Sequence, residues 1–570
     1  MVRKFFTPLF ILVVILPVAV FSQSEKPVVT DKAGLNPTVV EQVIKPKKVE
    51  EIIEAVKNNP GPISIGGARY SQGGQTFTTG ALFIDMRDFN EVLKFSPKEK
   101  LVTVQPGITW RQLLEYIDPY NLSPKIMQTY SDFTVGGSLS VNAHGREIEG
   151  PIISTVQSIK VVLSNGEVVE ASRDKNPEIF KSAIGGYGGI GVIVEATLEL
   201  TDNIKIERVS SKVMDASRYP AYFERRIKNN PDVVLHNAYL YAPEYKEVRA
   251  VTWIKTNKPV TIKDRLQSTD PQDHAKKRLE IETQEGGFGQ RLRQDIFDPI
   301  DYTHDVVAWR NYEAAHVVAE LPVSDEKTVY ALEEYFVPVT EFNKFIPKLR
   351  NILQKNKVTV LNLSIRHAEQ NTESILTWSS KETFSVVLYY KRDRTDQAAK
   401  RADKWAQELI TAVSSVGGTY YLPYELHATE KQFRQAYPRF DEFIELKKEI
   451  DPYYKFRNKL WDKYYPEKPV PVVYYVGPRD TGGGPLILEQ IGKLTTQKKI
   501  QGYYNFYDEC LEKDGKLNCV IPGSRKLKPL TNLTDQENQF YIFVDGKMVK
   551  SLEELQKLGI STDSLKKPSQ

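Results

Sequence analysis

The sequence is poor in the residues from which metal sites and disulfide frameworks are built. Its 570 residues include two cysteines and seven histidines. The histidines, at 144, 236, 274, 304, 316, 367 and 427, form no H-x-x-x-H pair and no C-x-x-C occurs, so no metal centre is expected. Excess charge is also missing. Lys+Arg number 77 against 73 Asp+Glu, a net charge of +4, which removes the basic surplus that nucleic-acid binding requires. Hydrolase and phosphate-loop signatures are absent as well: Ser71 has Arg69 where a nucleophile elbow needs glycine, and Gly492-Lys493 is followed by Leu494. Beyond the N-terminus no hydrophobic run is long enough to span a membrane. At 41% hydrophobic, 26% charged and mean hydropathy −0.40, the chain has the composition of a folded protein. Its length exceeds one ordinary core and suggests three or four units.

At the N-terminus, Arg3 and Lys4 precede an apolar run from Phe5 to Phe21, and Val20-Phe21-Ser22 closes it before Gln23. That pattern predicts a signal peptide over 1–22 and export to a periplasm, cell surface or medium, with membrane contact only if the segment is retained. The export route makes an oxidising compartment, and a structural disulfide between Cys510 and Cys519 is expected there.

A polar linker is read over 23–37, and a domain of alternating short strands and helices over 38–204. Val49, Ile52, Ile53 and Val56 form a helical stripe, as do Trp110, Leu113, Leu114 and Ile117. Asn165-Gly166 between two alternating runs predicts a hairpin with a type I′ turn, so neighbouring strands are partly antiparallel and the fold class is α+β. A second domain is read over 205–445, a return segment over 446–468 and an extension of unknown role over 469–570.

Glycine is ordinary in amount but clustered in place. Gly66-Gly67-Ala68-Arg69-Tyr70-Ser71-Gln72-Gly73-Gly74-Gln75 follows a strand, and its residues without Cβ let backbone N–H groups converge on an anion such as a pyrophosphate, with Ser71 and Gln75 adding donors. A second cluster runs from Thr134 through Gly136, Gly137 and Ser140 to His144 and Gly145, small enough for a flat ligand to lie on the backbone. His144 taken alone is as well explained as a structural hydrogen-bonder. The third, Gly185 to Gly191, matches G-x-G-x-x-G. It is rejected as a dinucleotide fingerprint because a helix precedes it and a strand follows. A large anionic organic cofactor is the economical reading.

These clusters resemble, in order, the motifs of the vanillyl-alcohol oxidase superfamily of FAD enzymes with a PCMH-type FAD-binding domain, nearest its aldonolactone oxidase and alditol oxidase branch. Ile63 to Gln75 matches the G-G-x-x-H-S-x-x-G-Q loop, Thr134 to Gly145 the T-x-G-G…H-G segment, Ala183 to Leu200 the strand entry with Gly191, Val192 and Ile193, and Asp451 to Asn458 the D-P…F-x-N return. The resemblance implies a two-subdomain FAD domain and an α+β cap over the flavin. FAD would be held by Gly66, Gly67, Ala68, Arg69, Tyr70, Ser71, Gln75, Thr134, Gly136, Gly137, Ser140, His144, Gly145, Gly191, Val192 and Ile193. It also implies oxidation of an alcohol carbon, with dioxygen or an electron carrier as the second acceptor. Tyr70 stands where many relatives carry a flavin-linked histidine, so non-covalent FAD is expected.

In the cap, Glu334 to Pro338 resembles the branch's E-Y-x-V-P strand, and Ser364-Ile365-Arg366 its acidic-x-Arg element with serine in place of the acid. Arg366 is expected to face substrate and flavin. His427 stands where the branch has lysine and is read either as a general base or as a structural group. Lys391, at a strand end, is a further catalytic candidate against a solvated terminus. The substrate expected is a sugar-derived lactone, polyol or related alcohol. The alternative is an exported flavin-binding protein without catalysis.

Overall fold

The computed structural model describes residues 26–465 apart from 60, 284–288 and 292, together with parts of 472–560. The expected signal peptide lies outside the described residues.

The stripe beginning at Val49 folds as the helix Val49–Asn58 and buries Ile52 and Val56. It crosses over between two strands of a small parallel sheet, Gln42–Ile44, Leu82–Asp85 and Ile63–Gly66, with Leu82–Asp85 in the middle. The second stripe folds as Trp110–Ile117, started by a capping box in which Thr109 and Gln112 satisfy each other's backbone N–H groups. It packs on a larger antiparallel sheet in the order Val168–Ser172, Val156–Val162, Val192–Asp202, Leu101–Val104, Val92–Ser96. These two sheets are the two subdomains of the FAD-binding region.

Two local expectations are corrected. The hairpin at Asn165-Gly166 is present, but only Gly166 has positive φ, and its N–H bonds to Leu163 C=O. The turn is therefore a bulged one closed by a left-handed glycine, not a two-residue type I′ turn. The expected linker is not free either. Val28–Val29 pairs with Thr38–Val39, and Lys32 N–H bonds to Arg69 C=O on the first glycine loop.

The cap is a single nine-stranded antiparallel sheet. Its centre is Val233–Leu240, Thr359–Ala368, Thr383–Asp393 and Thr328–Pro338, side by side in that order. Helices Phe342–Lys355 and Asp396–Ser414 cover one face, where Tyr335 meets Phe345 and Tyr390 meets Trp405. Because strand residues alternate, Glu334, Ser385 and Tyr389 point to the opposite face, which is turned to the FAD region.

The chain then returns through Phe440–Ile450, and the segment after it joins the small sheet. Ile63 N–H bonds to Lys455 C=O and Arg457 N–H to Ile63 C=O, so the return adds an extended segment beside Ile63–Gly66. A fully buried ion pair fixes it: Lys447 Nζ lies 2.8 Å from Asp451 Oδ2 and also donates to Gly189 and Phe456 carbonyls. Asp451 in turn accepts from the N–H groups of Lys455 and Phe456. This explains the D-P…F-x-N pattern physically: the aspartate closes a turn and neutralises a buried lysine.

Beyond residue 470, Val472–Val476 runs parallel to Gln501–Asn505 through the helix Gly484–Thr496 and antiparallel to Tyr541–Val544. Val473, Tyr475, Ile487, Ile491 and Ile542 form a core of their own, so the extension is a separate small α/β unit. The backbone places Cys510 directly opposite Cys519 across an antiparallel pair. Their side chains lie outside the described residues.

Candidate active site

The first glycine loop leaves the end of Ile63–Gly66. Among the described residues, the backbone N–H groups of Gly67, Ala68, Arg69, Tyr70 and Ser71 donate to no protein acceptor. Five successive free amides make a concave donor set suited to a phosphate-type anion. Gly67 must be glycine because a Cβ there would sit 2.1 Å from Thr134 Oγ1, and Arg69 holds the loop's turn at φ +63°. Thr134 itself caps the short helix Val135–Ser140, its Oγ1 accepting from Gly137 N–H. Gly136 lies against Pro106, where a Cβ would meet the proline Cβ at 2.6 Å. Ser140 stands half-buried at that helix's end. Gly191 packs on Val162 C=O just before Val192–Asp202, leaving Ile193 half-buried and Val192 in the core. The helix Pro177–Ala183 precedes this glycine run and a strand follows it, the reverse of a dinucleotide-binding turn.

Three expected cofactor residues are engaged with the protein instead. Gln75 donates from Nε2 to Leu422 and Tyr424 carbonyls and accepts from Gly73 N–H, so it clamps the glycine loop to the cap. Gln72, which the sequence reading passed over, does the same for the strand Thr328–Pro338 through Tyr330 and Leu332. Tyr70 stacks on Phe133 with ring centroids 4.3 Å apart. His144 Nε2 lies 2.5 Å from Glu334 Oε1, and its ring is boxed by Phe336, Trp378 and Tyr421. His144 is thus a link between the FAD region and the cap, and its Nδ1 has no partner.

On the cap face the register sets Tyr239 beside Ser364, Ser364 beside Val387, and Arg366 beside Ser385. Ser385 Oγ donates to Glu334 Oε1, and Tyr424 OH donates to Glu334 Oε2 at 2.9 Å. Burial alone would raise the Glu334 carboxyl, but His144, Arg366 and the Ser385 hydroxyl outweigh it and hold it below the usual range, so it is an ionised carboxylate. Arg366 makes no hydrogen bond and no ion pair among the described residues, and its Nε is buried without a partner. Tyr130 reaches the same place from the FAD region, close enough to feel the charge of Arg366.

His427 lies elsewhere. His427 is buried on the helix-covered face, with Nδ1 2.6 Å from Asp403 and Nε2 3.1 Å from Glu333. Glu333 and Glu334 are neighbours on one strand and point to opposite faces, which separates His427 from Arg366 by the thickness of the sheet. Burial would lower the His427 imidazole, but the Glu333 charge and the Asp403 hydrogen bond overcome it and push it up to about 10. It is a charged structural group and not the base of this site. Since the ordinary imidazole value is about 6.5, its stabilisation is complete below that pH and is lost as pH rises from there to about 10. Thermal denaturation between those limits is expected to show falling stability, with a shallower slope in His427→Gln; identical slopes would contradict the assignment. Lys391 lies on the FAD-facing side at the far end of its strand, two residues beyond Tyr389 and about 20 Å from Ser385, and is paired in register with Tyr330.

Comparison with known proteins agrees with this geometry. The profile of the "FAD binding domain" family matches residues 37–172, and that of the "D-arabinono-1,4-lactone oxidase" family matches residues 235–464. L-gulonolactone oxidase of Bos taurus is 21% identical over 451 residues, covering 76% of this chain and 96% of that protein. The chain belongs to the aldonolactone oxidase branch of the PCMH-type FAD enzymes. Mitochondrial L-galactono-1,4-lactone dehydrogenase of Arabidopsis thaliana is 31% identical over 173 residues, 30% of this chain and 27% of that protein. Cytokinin dehydrogenase 2 of Arabidopsis thaliana is 31% identical over 140 residues, 24% of this chain and 28% of that protein.

This branch member is an FAD-dependent oxidoreductase acting on CH–OH donors. The residues present fit the cofactor. The free amides of 67–71 suit its pyrophosphate, Gly67, Gly136 and Gly137 let Thr134 and Pro106 pack tightly behind that loop, and Arg366 and Tyr424 face the FAD region from the cap.

Proposed function

We propose that the chain is an exported enzyme oxidising a CH–OH group of a sugar-derived lactone, polyol or related alcohol. The observation that carries this reading is Arg366, an arginine on the FAD-facing side of the cap sheet with no hydrogen-bond or ion-pair partner among the described residues. Such a group is costly to enclose unless a ligand oxygen meets it. When bound, FAD supplies the two-electron acceptor, and dioxygen or an electron carrier takes the electrons onward. The protein's own part is positional: Arg366 holds the substrate oxygen, the tyrosines orient the ring, and the cap excludes water. The Arg3-Lys4 start and the apolar run after it support export, and sequencing the N-terminus of the secreted protein checks it. Turnover with a panel of lactones and polyols, read with dioxygen and with a dye acceptor, tests the activity; a flavin-loaded protein inert toward all of them contradicts it.

The cofactor is held without a covalent bond in this reading, because Tyr70 packs on Phe133 where relatives carry the linking histidine. Acid precipitation is expected to leave a white pellet and a yellow supernatant. Flavin retained in the washed pellet would show a covalent link.

A further inference from the structure

The cap side of the site is rich in hydrogen-bond donors, and no carboxylate among the described residues pairs with Arg366. Arg366 has no partner, and the hydroxyls of Tyr130, Tyr239 and Tyr389 donate to no protein acceptor. Register and charge coupling bring these groups together. Tyr239 sits beside Ser364 on the next strand, Tyr130 feels both Arg366 and Tyr239, and Tyr389 feels Tyr130. Three carboxylates send their fields into this group: Glu282, exposed on the helix Ala275–Thr283, reaches only Tyr389, and the other two are occupied. Glu334 accepts from Ser385 and Tyr424 and lies against His144, while Glu320 accepts from Lys277 and lies 2.9 Å from His316.

Ser364 decides what this arrangement selects. It lies two residues before Arg366 on the same strand face and is 8% exposed. An acid at that position would stand beside the guanidinium, neutralise it and accept hydrogen bonds from a neutral polyol. Serine does neither, so the positive charge is left for the ligand. Resting on the oxidoreductase reading above, we propose that the substrate carries its own carboxylate, held by Arg366 near the carbinol that is oxidised: a sugar acid or related polyhydroxy acid. The neutral lactone or polyol is then the poorer ligand.

The test uses the flavin-loaded protein and needs no turnover. Aldonates of four to six carbons, galactonate among them, and the matching 1,4-lactones are titrated anaerobically against the absorbance of bound flavin, with calorimetry as a second readout. The expected result is at least one aldonate binding about tenfold or more tighter than its lactone, with affinity falling as salt rises. Ser364→Glu is expected to weaken that aldonate by roughly a hundredfold and to leave the lactone nearly unchanged. Should that variant fail to hold flavin, Arg366→Gln serves in its place and is expected to remove the salt dependence. Lactones binding more tightly than every aldonate would overturn the proposal, as would a preference unchanged in a flavin-loaded variant. Lactone turnover without aldonate binding sinks this inference alone; absence of alcohol oxidation altogether sinks the proposed function instead.

Discussion

Arg366→Ala is expected to lower kcat/KM by about 10²–10³-fold, the usual cost of losing one preorganised charged donor at a reacting oxygen. FAD content and thermal stability should stay close to wild type, because the guanidinium makes no hydrogen bond or ion pair with the protein that its loss could break. This combination is the signature of a ligand-facing group. An arginine serving the fold would show the opposite pattern, with stability falling and the rate of flavin reduction per loaded enzyme preserved. Stopped-flow reduction, flavin content and a melting curve on the same preparation separate the two.

Asp451→Ala is expected to cost about 3–5 kcal/mol of stability, because it strands the Lys447 ammonium in a site where both partners are fully buried. Burial already pulls Lys447 below the ordinary lysine range despite the adjacent carboxylate, which shows how little solvation it receives. The damage should also reach the cofactor. The segment held by Asp451 lies beside Ile63, whose strand leads into the free amides of 67–71, and Lys447 also holds the Gly189 carbonyl of the third glycine run. Weaker FAD retention at temperatures where the protein is still folded is therefore expected, measured by released flavin against temperature. A double replacement of Lys447 and Asp451 by apolar residues of similar size should recover only part of the stability, since no unpaired charge remains but the N–H groups of Lys455 and Phe456 and the carbonyls of Gly189 and Phe456 lose their partners. A melting temperature unchanged in Asp451→Ala would contradict this account of the return segment.

The FAD region was largely legible because its constraints are local. Consecutive glycines, a strand before them and a reversed helix–strand order around Gly191 can all be read without tertiary contacts. Even there a side chain's role depends on distant contacts: Gln75 has the donors a ligand would use but clamps Leu422 and Tyr424, 347 and 349 positions away. The cap was harder for a definite reason. Which face a strand residue takes depends on register, and a single step reverses it. His427 occupies a position read from a motif, yet its partner Glu333 points away from the site while Glu334, one residue later, points into it. Two adjacent acids in a strand with Leu332 and Tyr335 on either side were a signal that both needed partners, and that signal could have exposed Glu334. Tyr130 and Tyr239 come from different regions of the chain and meet only in three dimensions. The small unit beyond residue 470 carries its own core, which no motif marked.

The central claim is that Arg366 and the glycine loops together make a flavin site that oxidises an alcohol carbon. Its most direct measurement is anaerobic mixing of the flavin-loaded wild-type protein and Arg366→Ala with a panel of lactones, polyols and sugar acids, followed by air. Bleaching of the wild-type flavin by at least one alcohol, slowed by orders of magnitude in Arg366→Ala, is the predicted result. A purified protein that neither carries nor takes up FAD, or whose flavin bleaches equally fast in both forms, would contradict it.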